Sequence, residues 1–211
     1  MANINRVNGF RPVKHLTGAP YNGQCNIYEC AAGETIPVFV GDLVVLSDAA
    51  ATSFYPTVEA PVAAAATSGD YVGVVVGVLN SKFDPVEGKM STGSVNLDTP
   101  QYRPASTKQF VLVADSPDLV FEAQADASVA LASIGLNVGV VEGTGSASAG
   151  STTTGASGMQ VDGSSVATTP TLPLQIVGAP NRVDNEMAAS YNRVLVRINT
   201  HAYGGDGQTA V

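Results

Sequence analysis

The sequence has few of the residues from which catalytic and metal sites are usually built. It contains no Trp, two His and two Cys, and charged residues make up 13% of its 211 residues. The serine-nucleophile pattern G-x-S-x-G and the phosphate-loop pattern G-x-x-x-x-G-K-[ST] are both absent. His15 and His201 stand near opposite ends of the chain, which argues against a shared histidine site. We therefore expect no enzymatic activity, no cofactor and no metal site.

Long apolar runs are also missing. No window reaches eighteen apolar residues without a breaker, so the sequence predicts no membrane-spanning helix and no membrane partner. The first basic residues are not followed by an apolar stretch of the kind found in secretion signals. We accordingly expect the protein to be made in, and to stay in, the cytoplasm of the producing cell until it is assembled.

The two cysteines lie in the stretch QCNIYEC, at Cys25 and Cys30. In an extended chain an odd separation places them on opposite faces, and a rise of about 3.3 Å per residue puts them beyond disulfide reach. A bridge would need a tight turn between them. Without nearby His or further Cys, zinc is not favoured either, so reduced thiols are expected.

Basic residues are scarce and clustered in a chain whose formal net charge is -8. They occur near the start, between Lys82 and Lys108, and again from Arg182 onward, with none between Lys108 and Arg182. Binding to nucleic acid depends on a dense Lys and Arg footprint that displaces counterions from phosphates. The composition therefore predicts no nucleic-acid partner.

What the chain does contain is a series of short, Val-rich segments bounded by Gly, Pro or Asp. Such segments are typical of β-strands, and they predict an all-β fold, either a β-barrel or a β-sandwich. QFVLVAD and DLVFEAQ, separated by Ser116-Pro117, are expected to form a hairpin-like pair. In YVGVVVGVL, alternation places Val72, Val74, Val76 and Val78 on one face, and the intervening glycines allow a close approach on the other. Other predicted strands are IPVFVGDLVVLS, YPTVEAPV, LPLQIVGAP and NRVLVRINTHAY.

The domain organisation follows from the segments between these strands. Residues 1–24 are rich in Asn, Gly and Pro and predict an extended N-terminal arm, followed by a single β-rich domain over residues 25–203. Within it, Asp126 is the expected cap of one short helix that ends at Gly135. Residues 143–170 form a long Gly/Ser/Thr-rich stretch without an aromatic residue, which predicts a flexible loop. Residues 204–211 are expected to form a frayed tail.

The final predicted strand has two different faces. Val194, Val196 and Ile198 alternate with Arg193, Leu195 and Arg197, a pattern that indicates one buried and one mostly polar face. We take Arg193, Arg197 and His201 as candidate residues of an interface between subunits.

Three passages resemble the decoration, or cement, proteins that tailed bacteriophages add to the outside of their capsids. They are NGFRPVKHLTGAPYNG at residues 8–23, DSPDLVFEAQAD at residues 115–126, and LPLQIVGAPNRVDNEMAASYNRVLVRINTHAY at residues 172–203. The resemblance implies a β-rich structural protein of the virion that sits on the capsid exterior, commonly as a homotrimer. Its partner would be the major capsid protein, whose neighbouring subunits it clamps. The arm residues placed against the capsid would be Arg6, Asn8, Phe10, Arg11, Val13, Lys14, His15 and Leu16.

Two other functions stay open on the sequence alone. A head fibre or adhesive protein that binds host-surface glycans would be favoured by aromatic residues grouped on exposed loops, whereas the Tyr and Phe residues here are dispersed. A hydrolase with an unrecognised site would require titratable side chains that converge in a pocket.

Overall fold

The computed structural model describes residues 3–49, 52–61, 70–79, 83–84, 89–90, 100–142 and 150–204. Strands account for 42% of the structure and helical turns for 2%, which confirms the predicted all-β class. Of the predicted tail, only Gly204 lies within the described residues, so the frayed tail stays a prediction.

Fifteen strands occur in the described part of the chain, and most are short. Their bounds are β1 Arg11–His15, β2 Asn26–Cys30, β3 Val38–Phe39, β4 Leu43–Leu46, β5 Val58–Glu59, β6 Tyr71–Val78, β7 Phe83–Asp84, β8 Lys89–Met90, β9 Tyr102–Arg103, β10 Gln109–Ala114, β11 Leu119–Gln124, β12 Asn137–Val141, β13 Gln160–Ala167, β14 Leu174–Gly178 and β15 Arg193–Ile198.

Two antiparallel sheets contain most of these strands. The six-stranded sheet has the order β1-β11-β15-β14-β12-β13, and the five-stranded sheet has the order β2-β10-β6-β4-β5. The main hydrophobic core combines residues of both sheets, such as Leu43 and Val74 from the five-stranded sheet and Phe121, Leu174 and Val196 from the six-stranded sheet. Apolar faces of the two sheets are therefore buried against each other.

The five-stranded sheet is buried on its second face as well. A separate cluster on that side includes Tyr28, Cys30, Val44, Val58 and Val111. Burial on both faces explains why the central strand β6 is a nearly continuous run of Val instead of a simple alternation. Cys25 and Cys30 are both free thiols, as the spacing indicates.

The predicted faces of β6 are correct only in part. Val74 and Val76 contact the main core, but Val72 and Val78 belong to the second cluster. The register shifts opposite Val72 in the ladder with β4, and again opposite Val76 in the ladder with β10. Each irregularity reverses the alternation of side chains, which periodicity alone does not reveal. The close approach at the glycines is confirmed, because a Cβ atom on Gly73 would lie 2.2 Å from the carbonyl oxygen of Ala114.

The hairpin predicted for β10 and β11 is wrong, although both strands exist. β10 pairs with β2 and β6, whereas β11 pairs with β1 and β15 in the other sheet. The connection through Ser116-Pro117 thus passes from one sheet to the other. A short turn between two strands is compatible with either arrangement, and the buried faces of both strands favour the crossing.

The predicted Gly/Ser/Thr-rich loop is corrected in its second half. Residues 143–149 lie outside the described residues, but Gln160–Ala167 forms β13 and pairs with β12. Met159 and Val161 are buried in the main core. The average composition of the stretch hides these two apolar anchors, and a neighbouring strand supplies the hydrogen-bond partners that the segment lacks by itself.

The predicted short helix is reduced to one 3-10 turn at Leu131–Ser133. Its first flanking residue is Ala130, and no side chain caps it. Asp126, the expected cap, instead accepts a hydrogen bond from the backbone amide of Gly163 at 2.9 Å. Gly135 does follow the turn, with φ of +95°, and the chain then enters β12.

Candidate interaction surface

The centre of the predicted arm is a strand of the domain. β1 pairs with β11, so that Arg11 lies opposite Glu122 and Lys14 opposite Val120, with a register irregularity between Pro12 and Lys14. A proline is tolerated here because β1 is an edge strand. The segment is extended, as expected, but it lies against its own sheet.

Phe10 does not belong to any exposed interface. Its side chain is 1% exposed and lies in the main core, and its backbone amide donates to the carbonyl of Gly41 at 2.9 Å. This corrects its assignment as a residue placed against another protein. The aromatic ring is the largest apolar group of its segment, and burial within the chain's own core accounts for it.

The residues that precede β1 lie on the same sheet. The amide of Arg6 donates to Oε1 of Gln124 at 2.8 Å. Asn3 donates to the carbonyl of Glu186 at 2.9 Å and accepts from the amide of Glu186 at 2.7 Å. Asn3, Arg6 and β1 therefore lie against β11 and the loop that leads into β15.

The outer face of the six-stranded sheet follows from the alternation along β15. Val194, Val196 and Ile198 are buried, while Arg193 and Arg197 lie on the other face, which confirms the predicted pattern. Glu122 lies on this outer face because it is opposite Leu195 in the ladder with β15.

Glu122 is the centre of a cluster of three arginines. Nη2 of Arg182 donates to Oε1 of Glu122, and Nη1 of Arg193 lies 3.2 Å from the same oxygen. Nε of Arg182 is 3.7 Å from Oδ1 of Asp184. Together with Arg11, Pro12 and Val13, these side chains line an open cavity of about 530 Å³. We call it the Glu122 cavity.

The loop that carries Arg182 is held in place by asparagine side chains. Asn185 donates to the carbonyls of Pro180 and Arg193, each at 3.0 Å, and accepts from the amide of Arg193 at 2.7 Å. Asn192 donates to the carbonyl of Val129 at 2.7 Å. These bonds fix the loop between β14 and β15, so Arg182 projects from a supported position.

Six of the chain's ten Lys and Arg residues lie on or beside this outer face, which we call the basic face. Two acids, Glu122 and Asp184, lie among these bases, and Asp118 and Glu186 lie at the edge of the face. The concentration of bases here contrasts with the formal net charge of -8 for the whole chain. Within the described residues, the side chains of Arg11 and Lys14 make no hydrogen bond or ion pair. The six bases are Arg6, Arg11, Lys14, Arg182, Arg193 and Arg197.

The remaining predicted interface residues have different environments. Val13 and Leu16 are partly exposed, and the exposed Asn8 borders a second cavity beside Gly41. His15 is half-buried at the end of β1, opposite Leu119. Nε of Arg197 donates to Oε1 of Gln175 at 2.8 Å.

His201 is buried, and this corrects its assignment to a subunit interface. Nδ1 of His201 accepts from the amide of Tyr203 at 3.0 Å, and the backbone of His201 bridges to Tyr71 of the five-stranded sheet. Burial lowers the pKa of the imidazole below its ordinary value. The backbone pairing of His201 with Tyr71 joins the segment after β15 to β6.

A second polar group surrounds the carboxylate of Asp115, next to Cys25. Both carboxylate oxygens accept from Nδ2 of Asn26, at 3.1 and 2.9 Å, and Tyr28 donates its hydroxyl at 2.6 Å. Burial, followed by the charge of Asp115, raises the pKa of the nearby Cys25 thiol. A raised pKa keeps the thiol protonated and weakens it as a nucleophile.

A buried carboxyl group lies elsewhere, at the end of β12. Glu142 accepts a hydrogen bond from the hydroxyl of Tyr71, and burial raises the pKa of Glu142 to about 7. The residues that the structure describes contain no group of three or more His, Cys, Asp or Glu side chains arranged to hold a metal ion.

Sequence reasoning missed Glu122 and Arg182 as members of the basic face. The acid of VFEAQ is the one charged residue of its strand, and that isolation among apolar neighbours was the available signal. Arg182 gave no local signal, because its position depends on how the loop folds over β11.

No helix within the described ranges is long and apolar enough to cross a membrane. Comparisons of the chain with models of protein families, with curated proteins and with solved structures found no match.

Proposed function

We propose that this protein is a structural component of a tailed-phage virion that binds the capsid exterior and stabilises contacts between neighbouring major capsid subunits. The observation that supports this most is the meeting of the N-terminal segment and Arg193 on one basic face. Both were candidate interface regions, and Nη2 of Arg193 lies 3.4 Å from the carbonyl oxygen of Arg6.

The basic face is held in place by paired strands and a hydrogen-bonded loop, which suits a role in binding. Its side chains project from paired strands and from a loop held by Asn185 and Asn192. A surface that is already ordered loses less conformational entropy when it binds than a free arm would. A ligand that binds the assembled shell stabilises it by mass action. Many copies of this protein on one shell would therefore stabilise the shell even if each copy binds weakly.

The proposal includes the absence of catalysis and assembly of the protein as a homotrimer after synthesis in the host cytoplasm. The raised pKa of the Cys25 thiol disfavours one candidate nucleophile, which is in keeping with that absence. The homotrimer and the capsid partner rest on the resemblance of the three sequence passages.

Co-sedimentation with expanded capsids that lack the protein tests this function. Saturable binding, together with greater resistance of the shells to heat, is the expected result. An unrelated β-protein of similar net charge serves as the control for nonspecific adsorption. Absence of binding to mature shells would contradict the proposal, and binding to a host-glycan array in its place would support the adhesive function.

A further inference from the structure

We propose that the Glu122 cavity is a carboxylate-binding site, and that it docks an Asp or Glu side chain from an acidic segment of the protein's partner. The inference rests on the proposed function for the identity of that partner, the major capsid protein. The chemistry of the site depends only on residues of this chain.

The cavity already holds one carboxylate in the manner proposed. Guanidinium groups of Arg182 and Arg193 both donate to Oε1 of Glu122. Arginine has five donors in a planar fork that matches the two oxygens of a carboxylate. Each of these arginines uses one nitrogen on Glu122, and donors remain on both after Asp184 and the Arg6 carbonyl are counted. The geometry of the pair therefore suits a second acidic group from outside.

Arg11 supplies the cation that the two internal acids, Glu122 and Asp184, do not neutralise. It lies opposite Glu122 in the β1–β11 ladder and lines the same cavity, and its exposed guanidinium makes no hydrogen bond or ion pair within the described residues. The side chain of Lys14, two ladder positions further along β1, likewise makes no hydrogen bond or ion pair within the described residues.

The site is open to a protein partner and has an apolar rim. The side chain of Arg182 is 44% exposed, and Val183, the next residue, is 83% exposed. Pro12 and Val13 also line the cavity. Arginine beside apolar contacts is typical of protein interfaces, in which the apolar contacts exclude water around the charged pair.

An acidic protein segment fits this site better than a nucleic acid does. Glu122 and Asp184 lie within the cavity and would repel a phosphate backbone, which carries a charge on every nucleotide, more strongly than they repel one carboxylate. The formal net charge of -8 adds a long-range repulsion that grows with the number of negative charges on the ligand. Single carboxylates spaced along a polypeptide meet the local arginines without requiring a continuous basic track.

A titration with a model peptide tests the chemistry without the capsid. The probe is an end-blocked Gly-Glu-Gly-Ser-Glu-Gly peptide, whose two carboxylates are spaced along the chain, followed through the backbone amide signals of Arg11, Glu122 and Arg182 by NMR at several NaCl concentrations. We expect weak binding that shifts these signals and weakens as salt is raised. A single-stranded DNA hexanucleotide and inorganic phosphate are the comparison ligands. Equal or tighter binding of the DNA, or no peptide-induced shifts at low salt, would overturn the proposal.

Variants with opposite expected effects on peptide binding make the test specific. Arg11→Gln and Arg182→Gln are each expected to weaken peptide binding at least fivefold, while Glu122→Gln is expected to strengthen it because an internal competitor is lost. Lys108→Gln removes the same charge from the five-stranded sheet and is the matched control, with an expected change of less than twofold. Circular dichroism establishes that each variant is folded. Weaker binding in Glu122→Gln, or equal effects of Arg11→Gln and Lys108→Gln, would contradict the site.

The same variants on capsids separate this inference from the proposed function. Shell binding that is unchanged in Arg11→Gln and Arg182→Gln would overturn the docking site and leave the capsid function intact. Peptide binding at the cavity with no binding of the native protein to shells would overturn the capsid function and leave the carboxylate site standing.

Discussion

Gly9 crosses the chain at Gly41 so closely that no side chain fits between them. A Cβ atom on Gly9 would lie 2.5 Å from the carbonyl oxygen of Gly41, and the φ angle of Gly9 is +63°. The adjacent amide, that of Phe10, donates to the same carbonyl. This crossing ties the N-terminal segment to the five-stranded sheet immediately before it enters the six-stranded sheet as β1.

Substitution of Gly9 tests whether this crossing forms. Gly9→Ala is expected to lower the free energy of unfolding by more than about 1 kcal/mol, because the new methyl group meets a backbone carbonyl in a strained conformation. Gly18→Ala is the matched control, since Gly18 also has a positive φ but has no atom within 4 Å of the added Cβ. Urea denaturation of both variants checks the difference. Equal losses would mean that the steric contact at Gly41 is absent.

The N-terminal segment is expected to contribute to folding through Phe10. Phe10→Ala should lower the free energy of unfolding by about 3 to 5 kcal/mol, because it leaves a cavity in the main core. Leu16→Ala, at a side chain that is 46% exposed, should change it by less than about 0.5 kcal/mol. Removal of residues 1–18 should therefore destabilise the domain. A truncated protein with the denaturation midpoint of the full chain would contradict the burial of Phe10.

Met159 is expected to be a core residue in spite of the low-complexity sequence around it. Met159→Ala should reduce the free energy of unfolding by about 2 to 5 kcal/mol, whereas Thr153→Ala, at an exposed position in the same stretch, should have little effect. Thermal and urea denaturation measure both changes. If Met159→Ala lowered the free energy of unfolding no more than Thr153→Ala does, Met159 would not be packed in the main core ahead of β13.

Glu142 is expected to make stability depend on pH. Its pKa is raised to about 7 by burial, so the folded state binds a proton more tightly than the unfolded state does. Its contribution to stability is fully present below the unfolded pKa of about 4.3 and is lost as the pH rises through about 7. Glu142→Gln retains an acceptor for Tyr71 and should remove this loss.

Urea denaturation of the native protein and of Glu142→Gln between pH 4.5 and 7.5 measures the contribution of Glu142. The stability of the variant relative to the native protein should increase across this range. A constant difference at every pH would show that Glu142 does not titrate differently in the folded state.

The strands with strong local patterns were predictable, and their partners were not. The Val-rich run of β6 and the alternation of β15 indicate strands because each contains enough apolar residues to define a buried face. Which sheet accepts each strand depends on contacts between distant segments, and this is why β10 and β11 were assigned to one hairpin. β13 was missed because Met159 and Val161 are few among many small polar residues.

The candidate surface was predicted in outline only. Arg11 was identified through the resemblance of residues 8–23 and Arg193 through the periodicity of its strand. Their meeting depends on Glu122, which pairs with Arg193 and faces Arg11 across the ladder. Phe10 and His201 were assigned to interfaces because an apolar or titratable residue near a chain end gives no local sign of burial. Their burial follows from the crossing at Gly41 and from the bridge to Tyr71.

Electron cryomicroscopy of shells with and without the protein tests the capsid function most directly. We expect difference density on the outer surface, at junctions between capsid subunits, with the basic face of each copy turned toward the shell. Difference density that is confined to a tail or portal vertex, or that presents the basic face to solvent, would contradict it.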